Sequence, residues 1–99
     1  MIEQKVFKAL TELKKERRIT EFNQSPRFSG KDLLGIDFTI FLNAGGGKVF
    51  LQVKSRRLTK GEKEKYRNNR IVCLVISPLD KPDTIRKRLI KTLEWAPKH

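Results

Sequence analysis

Cysteine is almost absent: Cys73 is the single one in 99 residues. That excludes an intramolecular disulfide framework and a cysteine-rich zinc site. No apolar run approaches the ~20 residues needed to cross a bilayer. Glu3, Lys5 and Lys8 break up the first ten positions, so a secretory leader is not expected there. Acid is scarce too. Asp and Glu total 11 against 23 Lys and Arg, a net charge of +12. No repeat, low-complexity stretch or internal boundary divides the chain, and the length suits one domain over residues 1–99. At this size roughly two thirds of the unfolded chain's surface can be buried, enough for a thin core. The expectation is a soluble, cytoplasmic protein with no membrane partner.

What is present in excess is positive charge, which attracts polyanions, nucleic acid first among them. No helix pairs a broad apolar face with a basic one strongly enough to favour a membrane surface. No aromatic RNA-binding signature sits on a central strand, so an RNA-associated basic protein ranks third.

Hydrophobic spacing then supplies the elements. Ile2, Val6, Ala9, Leu10 and Leu13 recur at helical intervals and predict a helix over residues 2–18, with Lys14, Lys15, Arg17 and Arg18 suiting its C-terminal dipole. Residues 19–22 read as a short strand, and 23–31, broken by Pro26 and Gly30, as a loop. The β-branched and aromatic run 35–42 and the run 48–55 read as strands of a hairpin closed by the glycine-rich turn 43–47. Thr59 and Glu62 fit a capping box for an exposed helix beginning near Lys60. The continuous apolar run 71–76 fits a strand buried on both faces. Asp80 is expected to cap a last helix with Pro82 in its first turn, and the tail 95–99 to fray. The order α-β-β-β-α-β-α predicts an α/β fold, a mixed sheet flanked by helices.

Strand parity gathers the polar residues. Ile36, Phe38, Ile40 and Leu42 share one face, as do Val49, Leu51 and Val53. Asp37, Gln52 and Lys54 fall together on the other, near the open end of the hairpin. An acid, an amide oxygen and an amine at one place suit phosphodiester hydrolysis with a hard divalent cation. Lys54 is then placed to orient or help deprotonate the attacking water.

Gly35-Ile36-Asp37 followed by Gln52-Val53-Lys54, with a helix before and a helix and strand after, resembles the core of the restriction-endonuclease-like nuclease superfamily, whose signature is D…(D/E)xK. The small size and the Lys54-Ser55 step are most similar to archaeal-type Holliday junction resolvases. The resemblance covers about residues 3–93. It implies that Asp37 is the main ligand of Mg²⁺ or Mn²⁺, that Gln52 gives a side-chain oxygen where the family usually has an acid, and that Val53 gives its backbone carbonyl. Lys54 becomes the catalytic lysine, and Glu3 the acid many members carry on the first helix. Ser55 matches a polar residue near the scissile phosphate. The implied function is a metal-dependent DNA endonuclease acting as a homodimer, with branched or structured DNA among its expected substrates. The alternative is a non-catalytic nucleic-acid-binding module on a decayed nuclease fold, which the lost charge at Gln52 favours. Arg56, Arg57, Lys60, Lys63, Lys65, Arg67 and Arg70 form a basic stretch suited to phosphate contact, with Arg27 and Lys31 as further candidates. Cys73, Tyr66 and Trp95 read first as packing residues.

Overall fold

The computed structural model describes residues 2–26, 30, 35–42 and 46–99. Helix α1 spans Ile2–Lys15, strand β1 Glu21–Gln24, β2 Phe38–Phe41, β3 Lys48–Lys54, helix α2 Lys60–Asn68, strand β4 Ile71–Val75 and helix α3 Pro82–Trp95. The chain is therefore an α/β protein in the expected order. The sheet runs β1-β2-β3-β4. The first three strands form an antiparallel meander, and β4 joins β3 in parallel after the α2 crossover.

Period-two alternation sorts the sheet into two unequal faces. Phe38, Ile40, Val49, Leu51, Val53 and Leu74 turn to one side, where α1 and α3 cover them with Val6, Leu10, Leu13, Ile85 and Leu89. This is the main core. Truncating a fully buried member such as Leu10 to alanine should cost about 2–5 kcal/mol. The other face carries a smaller cluster, in which Tyr66 of α2 packs with Ile36 and Ile71 and is flanked by Phe50, Leu58 and Cys73. Ile36 thus departs from the parity expected of it. It lies before β2 begins, so strand alternation does not bind it, and it packs beneath α2 instead.

Helix α1 ends three residues earlier than its spacing predicts. Arg17 adopts φ 61°. Arg18 N–H donates to the Leu13 carbonyl at 2.9 Å, and Arg17 N–H to the Lys14 carbonyl at 3.0 Å. That is a Schellman stop with arginine where glycine is usual, so composition gave no warning. Ile19 then enters the core, and β1 starts two residues later than expected. The helix α2 begins as predicted, with both arms of the Thr59–Glu62 capping box formed.

Asp80 does not cap α3. Its carboxylate accepts from Ser77 N–H at 2.8 Å and from Arg88 at 3.1 Å, and Lys81 takes the N-cap position without a side-chain bond. The tail is not frayed either. Ala96 is buried, and His99 and Lys48 exchange backbone hydrogen bonds of 2.8 and 3.1 Å. The His99 ring lies 4.2 Å from that of Phe50. No helix among the described residues is long and apolar enough to cross a membrane.

Candidate functional site

The β2–β3 register sets Phe38 opposite Leu51. Continuing it by one residue puts Asp37 opposite Gln52. Asp37 is fixed through its backbone from both neighbours: its N–H donates to the Leu51 carbonyl at 2.8 Å, and its carbonyl accepts from Ser25 N–H at 2.9 Å. Its carboxylate then reaches β3, where Val53 N–H donates to Oδ2 at 2.8 Å. The ladder's alternation turns the Val53 carbonyl to that same side.

Gln52 is only 8% exposed. The acceptors around it orient its amide so that the nitrogen donates to Asp37 Oδ2 at 3.3 Å and to the Gly35 carbonyl. The nitrogen, not the oxygen, thus stands beside Asp37. Ligation of a cation there through Gln52 Oε1 requires a half-turn of the amide. Gly35 makes this approach possible, since it holds φ +87° and a Cβ there would meet the Tyr66 ring at 2.7 Å.

Lys54 lies at the end of β3 on the same face, with Nζ 3.5 Å from Glu62 Oε2. Glu62 is the site residue that the sequence reading missed, since its spacing from Thr59 marked it only as a cap. Besides the Thr59 N–H at 3.1 Å it accepts two bonds from Arg56, at 2.9 and 3.2 Å. The Arg56 guanidinium, with the Thr59 N–H, holds the Glu62 carboxyl down to about 2. Cys73 sits opposite Gln52 on β4. Burial pushes its thiol up to about 11, while the Lys54 charge pulls it down and Glu62 and Asp37 raise it further. These three charges act on one thiol because they surround the same spot on the sheet.

The remaining candidates are placed less centrally. Glu3 is exposed in the first turn of α1, in the helix layer on the opposite face of the sheet. It does share the site's end of the sheet, because Lys5 of the same helix donates to the Pro78 carbonyl just past β4. Ser55 is exposed immediately after β3. Arg57, Lys60, Lys63 and Arg67 are exposed on or just before α2, while Arg56 is engaged with Glu62. Arg27 and Lys31 lie outside the described residues.

Among the described residues no group of three or more His, Cys, Asp and Glu side chains is placed to hold a metal ion. The donors that do converge are hard oxygens: one carboxylate, one backbone carbonyl and, after rotation, one amide oxygen. That set suits Mg²⁺, which keeps several waters and binds through one or two carboxylates plus substrate phosphate. No protein-family model, no curated protein and no solved structure matches the chain.

Proposed function

We propose that the protein is a metal-dependent endonuclease that hydrolyses phosphodiester bonds in DNA, built on the restriction-endonuclease-like plan its D…QxK motif resembles. The observation that carries this reading is the meeting of Asp37, Gln52 and Lys54 at one end of one sheet face, with Val53 N–H bonded to the Asp37 carboxylate at 2.8 Å. Asp37, the Val53 carbonyl and Gln52 Oε1 would hold Mg²⁺ or Mn²⁺ together with a phosphate oxygen. When bound, such a cation supplies a more acidic water and neutralises phosphate charge. Lys54 contributes a cation beside the scissile phosphate and orients the water. Arg57, Lys60, Lys63 and Arg67 hold the DNA backbone from the same side of the molecule, and Ser55 lies within the same approach. Two copies related by a twofold axis would cut both strands symmetrically.

Incubation of duplex and four-way-junction DNA with Mg²⁺ or Mn²⁺ tests this. Cleavage by the wild type should fall about 10²–10³-fold in Asp37→Ala and Lys54→Ala, the scale of losing one group that stabilises transition-state charge. No cleavage by the wild type, or equal cleavage by the variants, refutes it.

One feature favours a second reading, a DNA-binding module without cleavage: Asp37 Oδ2 and the Gly35 carbonyl are both acceptors, which calls for the Gln52 nitrogen rather than its oxygen to face them. Under that reading calorimetry with Mn²⁺ shows no heat that Asp37→Ala abolishes, while salt-sensitive DNA binding persists.

A further inference from the structure

Among the described residues strand β4 pairs with β3 alone and forms one margin of the sheet. Ile76 N–H donates to the Lys54 carbonyl at 2.9 Å. In a parallel ladder that phase turns the backbone groups of Val72, Leu74 and Ile76 toward β3. Those of Ile71, Cys73 and Val75 therefore face outward. The Arg88 guanidinium, 3.3 Å from the Val75 carbonyl, confirms the outward direction at that residue.

A cleft lies on each side of this open edge. On the α2 side a cavity of about 350 Å³ is floored by Leu58, Tyr66 and Ile71 and rimmed by Lys63, Arg67 and Arg70. On the α3 side a cavity of about 480 Å³ is lined by Val72, Leu74 and Trp95 and by Arg88 and Lys91. Trp95 is 82% exposed, unusual for so large an apolar side chain.

We propose that the β4 edge docks an extended, acidic peptide segment of another protein, which adds as a fifth strand. An added strand meets alternating outward N–H and C=O groups and sends alternate side chains into the two clefts. The apolar floors take its aliphatic residues, and the basic rims call for acidic flanks. A nucleic acid offers no alternating donors and acceptors to match the edge. A second copy of this chain brings cations against cations, since the rim residues named here carry one sign. The proposal uses neither Asp37 nor Lys54, but its α2 rim shares Lys63 and Arg67 with the proposed DNA contact, so its test rests on the edge and on Lys91.

The test is fluorescence anisotropy on the full chain. The probe is an end-capped peptide with five alternating valines and threonines between paired glutamates, and its control carries lysine for each glutamate. The acidic peptide should bind at least tenfold tighter than the control. Val75→Pro removes an outward N–H, which an edge strand tolerates, and should weaken binding tenfold or more with the thermal midpoint retained. Lys91→Glu should weaken it at least threefold, whereas Lys15→Glu, the same charge change on α1, should leave it within twofold. If Val75→Pro fails to fold, the comparison of Lys91→Glu with Lys15→Glu decides. The proposal is overturned if the two peptides bind alike or if Lys91→Glu and Lys15→Glu act equally. Unchanged binding in a folded Val75→Pro overturns it in favour of a polyanion surface that does not use the strand edge. A wild-type dimer that Val75→Pro dissolves in sedimentation gives the edge to a second copy.

Discussion

Glu62 closes the capping box of α2 and also faces Lys54 and Arg56. Glutamine at the same position keeps the first contact and loses the second, since a capping box accepts either side chain. Glu62→Gln should therefore hold its melting temperature near neutral pH, while metal-dependent DNA cleavage falls severalfold as Lys54 loses its counter-charge. The pH dependence follows in sign. Arg56 lowers the folded carboxyl from 4.5 to about 2. A carboxyl lowered on folding stabilises fully above its unfolded value, and that contribution is lost as pH falls from 4.5 toward 2. Thermal melts across that window should show the wild type losing more than Glu62→Gln, whose amide does not titrate. Equal losses would show that the Arg56 contact does not hold the carboxyl. Asp37 illustrates the opposite kind of residue: parity placed it on the right face, but no pattern in the chain disclosed that its carboxylate bonds Val53 N–H.

At the level of elements, period and the capping box of α2 were readable, while the start of α3 and the endings were not. The hairpin strands, α2 and β4 followed from alternation, the Thr59–Glu62 spacing and an apolar run, but β4 is a margin strand with Val75 exposed and not buried on both faces as that run suggested. The two stops built on left-handed arginines were invisible, because the usual signal there is glycine. Arg17 ends α1 and Arg70, at φ 54°, turns α2 into β4. The Gln52 amide was hidden for another reason. Its orientation depends on the Gly35 carbonyl, a long-range backbone neighbour that no spacing in the chain announces. Arg70 gives the cleaner test of the left-handed turns. A side chain in that conformation costs about 1–2 kcal/mol, partly offset by the greater freedom glycine gains when unfolded. Arg70→Gly should raise unfolding stability by about 0.5–1 kcal/mol net in urea titration. Arg70→Val should lower it, because a branched Cβ worsens the same clash. A fall in Arg70→Gly would mean that the arginine side chain contributes more than its backbone strain costs.

Across the whole molecule, the charge excess is not evenly neutralised. Several acids of the α1–α3 side and its connections pair with neighbouring cations: Glu16 with Arg18 and Arg86, Glu21 with Lys14, Asp80 with Arg88 and Asp83 with Lys87. On the α2 side Glu62 is paired, and Lys60, Lys63 and Arg67 stand exposed beyond it. That is also the side of the sheet that carries Asp37, Gln52 and Lys54, so Lys60, Lys63 and Arg67 stand where a phosphate backbone would meet the candidate site. Each phosphate contact that a cation makes adds about 0.9 to the slope of log affinity against log salt. Replacing Lys60, Lys63 and Arg67 together with alanine should lower the slope for duplex binding by about 2–3. The same number of changes at Lys8, Lys15 and Lys91, which lie off α2, should leave most of the slope intact. Filter binding over a salt series separates these outcomes. Equal reductions from both sets would mean that DNA senses only the overall charge of +12, and the α2 side would then have no special claim to the phosphate backbone.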